Sequence, residues 1–251
     1  MPAPSSIVVG RKPVRELVRD RLADVDCVFF NQGPMSPAIV DLRRQCAASG
    51  ITIKLVPGGK LNRLAEGANH QGVVALISAV PLRDLDDVLS QIAPTRDDVE
   101  TRSPLLVLPA QITDPHNLGA IVRSSVAFGS SAILIPDRHT ARMDAVALKA
   151  SAGTALRVPF ARVRNIQQAV QGLKERGYWI AGLSGRGETA LEEMDWARPI
   201  VVIVGSESEG LPTLVEHACD FLVSIPISAE VESLNASVAA GIALQAAGRC
   251  R

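Results

Sequence analysis

From Leu105 onward the chain alternates short continuous apolar runs with segments whose apolar residues recur at helical spacing. LLVLPA from Leu105, AILIP from Ala132, a short RVPFA run from Arg157, YWIAGLS from Tyr178, PIVVIVG from Pro199 and FLVSIPI from Phe221 to Ile227 read as strands. Between them lie predicted helices after Asp114, around Met143 to Ala152, from Asn165 to Arg176 and from Pro212 to Ala218, with a last one rich in Ala and Gly. Strands that are apolar throughout, rather than every second residue, belong in a parallel sheet covered on both faces. Such an α/β domain places its ligand at the carboxyl ends of its strands.

The first 80 residues form a smaller α/β module. Val14, Leu17, Val18 and Leu22 lie at helical spacing, which leaves Arg11, Lys12, Arg15, Arg19 and Arg21 largely on the other side. A strand from Cys27 to Phe30, a helix from Pro37 to Ser49 and a strand from Ile51 to Val56 follow. Then come a loop with Lys60 and Arg63 and a last strand, GVVALIS, from Gly72 to Ser78. His70 and Gln71 suit a strand-entry turn fixed by side-chain hydrogen bonds, with direct ligand contact as the other reading. Residues 81–103 are acidic, contain Pro81 and Pro94, and read as a helix and linker before a domain spanning 104–251.

Composition narrows the classes. A hydrophobic share of 47% supports a sizeable core. No apolar run approaches the roughly 18 residues that span a bilayer, and the N-terminal charges follow the short apolar stretch, so a cytoplasmic location with no membrane partner is expected. Cys27, Cys46, Cys219 and Cys250 lack metal-ligand spacing, and no metal is expected. The net charge of zero hides an asymmetry: residues 1–80 hold ten Lys/Arg against six Asp/Glu. A basic surplus of this kind suits a phosphate-bearing partner, although a solvated surface accounts for it equally well.

Three stretches can carry chemistry. In DPHNLGAIVRSS, Asp114 suits an N-cap and Pro115 the first helical position, placing His116 and Asn117 in the first turn. Leu118, Ile121, Val122 and Ser125 form the inward stripe, and Arg123 falls off it. This arrangement can bind an anion, or be a well-capped helix with a solvated arginine. In IVVIVGSESEGLP, Gly205 and Gly210 allow close backbone approach, but Glu207 and Glu209 repel phosphate, so a cationic ligand or a neighbouring Arg fits better. GSESEG is not GxSxG, which argues against a serine hydrolase. In IPISAEVESLNASVAAGIAL, polar Glu232, Ser233 and Asn235 lead into a helix with Ala236, Ala239, Ala240, Ala243 and Ala247 in rows. Rows of small residues permit an intimate helix contact, within the fold or across a dimer.

In this order and spacing, NLGAIVR (Asn117 to Arg123), GSESEG (Gly205 to Gly210) and IPISAEVESLNAS (Ile225 to Ser237) resemble the signature motifs of the SpoU-type ribose 2′-O-methyltransferases of RNA, the SPOUT class. The first 80 residues, with GRKPV near the start and NHQGVVA at the end, look like the ribosomal-protein L30-like substrate domain of the TrmH/RlmB branch. The resemblance implies a deep C-terminal trefoil knot, S-adenosylmethionine bound in it, a homodimer, and methyl transfer to a ribose 2′-hydroxyl. By motif, Gly205, Ile225 and Leu234 would contact the cofactor, while Asn117, Arg123, Glu207, Ser233 and Asn235 would form the catalytic set. Arg123 would clamp a phosphate and stabilise the developing alkoxide, with Glu207 orienting Arg123 or the loop. Arg11, Lys12, Arg15 and Arg19 would grip RNA, with a guanosine of 23S ribosomal RNA as the implied target. Transfer RNA methylation, a thiostrepton-resistance type of ribosomal adenosine methylation, and an RNA-binding assembly factor without turnover are the alternatives.

Overall fold

The computed structural model describes residues 7–20, 22, 25–65, 67–77 and 80–251. It divides into two compact units, Met1–Leu82 and Arg83–Arg251.

The first unit contains β1 (Ile7–Val9), α1 (Arg11–Asp20), β2 (Val25–Asn31), α2 (Pro37–Ala48), β3 (Thr52–Val56), α3 (Gly58–Leu64) and β4 (Val73–Ile77). The sheet order is β1-β4-β2-β3, with β2 parallel to β3 and antiparallel to β4. Because successive strand residues point to opposite faces, Val28 and Phe30 join Val14, Leu17, Val18, Ile39 and Leu42 in one core. Cys27 and Phe29 join Leu61 and Ala65 in the other. Two expectations change. Leu22 lies beyond the end of α1 and is 41% exposed, so the apolar stripe stops at Val18. Lys60 and Arg63 sit on α3 rather than in a loop. Gly58 and Gly59 disfavour a helix locally, and the buried anchor Leu61 outweighs that preference. Arg21 and Ser78 lie outside the described residues.

The second unit, with β5 at its junction, runs β5 (Leu82–Asp84), α4 (Leu85–Ile92), α5 (Arg96–Arg102), β6 (Leu105–Pro109), α6 (Pro115–Ala127), β7 (Ala132–Pro136), α7 (Ala145–Ala150), β8 (Phe160–Val163), α8 (Ile166–Glu175), β9 (Trp179–Leu183), β10 (Thr189–Ala190), β11 (Ile200–Val204), α9 (Thr213–Glu216), β12 (Phe221–Ser224) and α10 (Ala236–Gly248). The strand order is β10-β12-β9-β11-β6-β7-β8-β5. Every pair from β10 to β8 runs parallel. Their carboxyl ends therefore line one edge.

Residues 81–103 differ from the expected helix and linker. They fold as β5, α4 and α5, with Asp84 capping α4 and a Thr95–Asp98 capping box starting α5. Val88, Leu89, Ala93 and Val99 are buried in the same core as Leu106, Leu108, Leu173 and Ile180. The acidic residues that suggested a linker are helix-start residues, where carboxylates accept from free N–H groups. β12 is also shorter than the apolar run: it stops at Ser224, and residues 225–227 leave the ladder where Pro226 has no N–H to donate. The two-residue β10 was not foreseen.

The small-residue ridge makes its intimate contact within the fold. Ala240, Ala243 and Ala247 are fully buried, and α10 lies against α6 and β11. A Cβ added at Gly248 would sit 2.8 Å from the Phe128 carbonyl oxygen, so only glycine permits this approach. The Arg251 guanidinium then ties down the end of α10 by donating to the carbonyls of Ser103, Trp196, Ala247 and Arg198 at 3.1, 2.7, 2.9 and 2.9 Å.

Candidate functional site

At the carboxyl end of β6, the segment to α6 is built as its residues predict. The Asp114 carboxylate accepts from the His116 N–H at 2.9 Å, Pro115 occupies the first turn, and Leu118, Ile121, Val122 and Ser125 are completely buried. Asn117 is thereby fixed on the exposed side of the first turn. A side chain at Gly119 would come within 2.4 Å of the Ala147 carbonyl oxygen, so α6 and α7 pack backbone to backbone here.

At the end of β11, the chain makes a tight loop in which Ser206 and Gly210 exchange backbone hydrogen bonds of 2.9 and 3.1 Å. Gly210 has φ 68°, and a Cβ at Gly205 would lie 2.3 Å from Gly210 backbone atoms. Both glycines are demanded by this closure. The loop turns Glu207 toward α6 and α10.

Residues 225–235 carry no regular secondary structure until Asn235 caps α10. The Asn235 Oδ1 accepts from the N–H groups of Ser237 and Val238 at 2.9 and 3.3 Å and from the Ser237 hydroxyl at 2.6 Å. Its Nδ2 is therefore directed outward, donating to Asn117 Oδ1 at 3.1 Å and to Glu207 Oε1. Asn117 Nδ2 donates to the same Glu207 oxygen at 2.9 Å, and the Ala236 N–H does so at 3.3 Å. Three residues far apart in sequence thus form one closed hydrogen-bond cluster, one from each of the three stretches.

The other predicted residues are placed differently. Arg123 is exposed two turns along α6 and makes no hydrogen bond or ion pair among the described residues. Glu207 does not orient it, because Asn117, Asn235 and the start of α10 engage the carboxylate instead. Ser233 is exposed and makes no hydrogen bond to the cluster, while Ile225, directly after β12, and Leu234, next to Asn235, are half-buried. Gly205 is buried.

On α1, Arg11 is held by Gln71, whose Oε1 accepts from its backbone N–H and its Nε at 3.3 and 3.5 Å. Arg15 lies 3.8 Å from Asp41, and Arg19 bonds Asp20 at 2.6 Å, leaving Lys12 exposed without a partner among the described residues. His70 and Gln71 form the strand-entry turn: His70 Nδ1 accepts from the Gly72 N–H at 2.9 Å, and Gln71 has φ 50°.

Two cations that the sequence reading passed over lie on the sheet's carboxyl edge. Arg138 follows β7 and Arg164 directly follows β8, and both are exposed. The signal was present, since Arg138 and Arg164 come two and three residues after the predicted runs AILIP and RVPFA. Among thiols, burial pushes Cys46 up to about 11 and Cys219 up to about 12, so neither supplies a thiolate near neutral pH. Among the described residues, no helix is long and apolar enough to cross a membrane, and no group of three His, Cys, Asp or Glu residues is placed to hold a metal.

Comparison with known proteins bears on this geometry. Residues 104–245 match the model of the SpoU rRNA Methylase family, and residues 7–82 match that for RNA 2′-O ribose methyltransferase substrate binding. An uncharacterized tRNA/rRNA methyltransferase of Mycobacterium ulcerans (strain Agy99) is 39% identical over 244 residues, 97% of this chain and 77% of that protein. One from Mycobacterium sp. (strain KMS) is 40% identical over 248 residues, 98% of this chain and 77% of the relative. Among solved structures, the SpoU methyltransferase AviRb from Streptomyces viridochromogenes, in complex with AdoMet, is similar with a TM-score of 0.60 and 25% identity, covering 97% of this chain and 89% of that one.

Proposed function

The chain belongs to the SpoU family of RNA methylases, and from that premise we propose that it transfers a methyl group from S-adenosylmethionine to a ribose 2′-hydroxyl of RNA, with a guanosine of 23S ribosomal RNA as target. The observation that carries this reading is the closed Asn117–Glu207–Asn235 cluster, which joins all three motif stretches at the carboxyl edge of the sheet. When bound, S-adenosylmethionine supplies an electrophilic methyl group on a sulfonium. The residues present fit it: the loops after β9, β11 and β12 carry Glu188, Glu207, Glu209, Glu230 and Glu232 against a single cation, Arg186, an acidic surround suited to a sulfonium.

In this reading Gly205, Ile225 and Leu234 present backbone to the cofactor, and Asn117, Glu207 and Asn235 lock the loop that does so. Ser233 positions the ribose from the turn that Asn235 anchors through its bonds to Asn117 and Glu207, so that orientation supplies much of the rate. Arg123, a permanent cation without a partner among the described residues, clamps phosphate and stabilises charge developing on the ribose oxygen. The first unit binds the RNA substrate.

A homodimer is part of the proposal. Helices apolar on every side are normally covered all round, yet Val238 and Ile242 on the outer side of α10 are 49% and 37% exposed while its Ala side is buried. A second copy covering that side accounts for both. The knot is supported by the chain path: after β12 the chain returns past β9 to set Asn235 against Glu207 and α10 against β11 and α6. A cytoplasmic location suits an enzyme of cellular RNA.

The test is to incubate the protein with radiolabelled S-adenosylmethionine and separated ribosomal and transfer RNA, then map the modified nucleotide. Label on a 2′-oxygen in 23S ribosomal RNA is expected. Label confined to transfer RNA moves the target, and no transfer to either favours an assembly factor.

A further inference from the structure

We propose that the RNA strand leaves the methyl-transfer site across the β7–β8 side of the sheet edge, with Arg138 and Arg164 on its phosphates; this rests on the RNA methyltransferase reading above. The placement follows from the topology. β11, β6, β7 and β8 are consecutive parallel strands, so the loops carrying Glu207, Asn117, Arg138 and Arg164 succeed one another along one edge. At about 4.8 Å per strand, the line from β11 to β8 is about 14 Å long. A stacked strand advances about 3.4 Å per phosphate, so this distance accommodates about four of them.

The loop after β7 is held against the segment that delivers Asn117. The Thr140 hydroxyl donates to the Pro109 carbonyl at 3.2 Å, and the Ala141 N–H donates to the Ile112 carbonyl at 2.6 Å. Arg138 is therefore carried on a loop tied to the site. Beside it, the Asp137 N–H donates to the Val163 carbonyl at 2.9 Å, which joins the loop to the end of β8 where Arg164 begins.

Charge points the same way. The carboxylates on this half of the edge are engaged: Asp137 lies 3.7 Å from the half-buried Arg162, Asp144 caps α7, and Asp114 caps α6. Arg138 and Arg164 have neither hydrogen bonds nor ion pairs among the described residues. The β9–β12 half of the same edge carries the surplus of glutamates. One edge thus presents an acidic half suited to a cationic cofactor and a basic half suited to a polyanion. A folded chain that engages its acids here but not its arginines leaves those arginines for an external anion.

The test uses the full chain and a short mixed-sequence single-stranded RNA, titrated by fluorescence anisotropy over a range of salt. The double variant Arg138→Ala/Arg164→Ala is expected to bind about tenfold more weakly near 0.1 M salt. Its plot of log affinity against log salt is expected to be shallower by about 1.4, the value for two phosphate contacts on a single strand. Arg138→Lys/Arg164→Lys keeps the charge and is expected to keep the wild-type slope. Arg249→Ala removes an exposed cation at the far end of α10 and is expected to change neither. S-adenosylmethionine affinity, measured by calorimetry, is expected to be equal in all four proteins. Wild-type affinity and slope in the alanine double variant, or a lysine double variant as impaired as the alanine one, overturns the track while leaving methyl transfer by the wild type intact. A wild-type chain that neither binds nor methylates RNA sinks the underlying function as well.

Discussion

The α1 surface and the carboxyl edge of the large sheet are both rich in basic side chains, and they treat them in opposite ways. On α1, Arg15 and Arg19 have carboxylates close by and Arg11 is held by Gln71. On the sheet edge, Asp114 and Asp144 cap helices and Asp137 lies against Arg162, while Arg138 and Arg164 are left to solvent. A basic count along the sequence pointed to α1; hydrogen-bond satisfaction points to the edge. The exposed pairs on α1 are individually weak, so they do not forbid RNA there, but they lessen what each cation offers.

The largest effect should come from the centre of the edge. Glu207→Ala removes the acceptor of three N–H groups and should lower methyl transfer about a hundredfold, the scale of losing alignment at a reacting centre. Single-turnover assays against the wild type measure it, and full activity would mean the cluster is incidental. Gly205→Ala places a Cβ against backbone 2.3 Å away, so destabilisation of about 1–3 kcal/mol is expected, read as a fall of several degrees in the thermal midpoint. An unchanged midpoint would show that the loop can open at little cost. Arg123→Lys keeps the charge and loses the planar fork; transfer should fall about tenfold, and full turnover with unaltered RNA affinity would remove the clamp.

The smallest effect is expected on α1. Arg15→Ala/Arg19→Ala should weaken RNA binding by no more than about twofold, because two acidic neighbours are released together with the two cations. An effect equal to that of Arg138→Ala/Arg164→Ala would erase the contrast between the two surfaces. Measuring both double variants at one salt concentration makes the comparison direct.

Much of the fold was legible, for identifiable reasons. Continuous apolar runs announced β6, β7, β9 and β11, and Asp114, Pro115 and the Leu118–Ser125 stripe defined α6 almost residue by residue. α3 was missed because its glycines hide a helix anchored by one buried leucine, and the 81–103 segment was misread because capping acids resemble linker composition. Of the candidate site, Asn117, Glu207 and Asn235 come together, while Arg123 and Ser233 stand apart from them.

The sequence by itself determined the parallel α/β architecture, the small-residue contact of α10 and the three polar stretches, since periodicity and capping are local and act over a few residues. Only the tertiary structure decided which polar groups satisfy one another. Asn117, Glu207 and Asn235 meet across separations of 90 and 118 residues, and whether an arginine is neutralised depends on which distant carboxylate the fold brings to it.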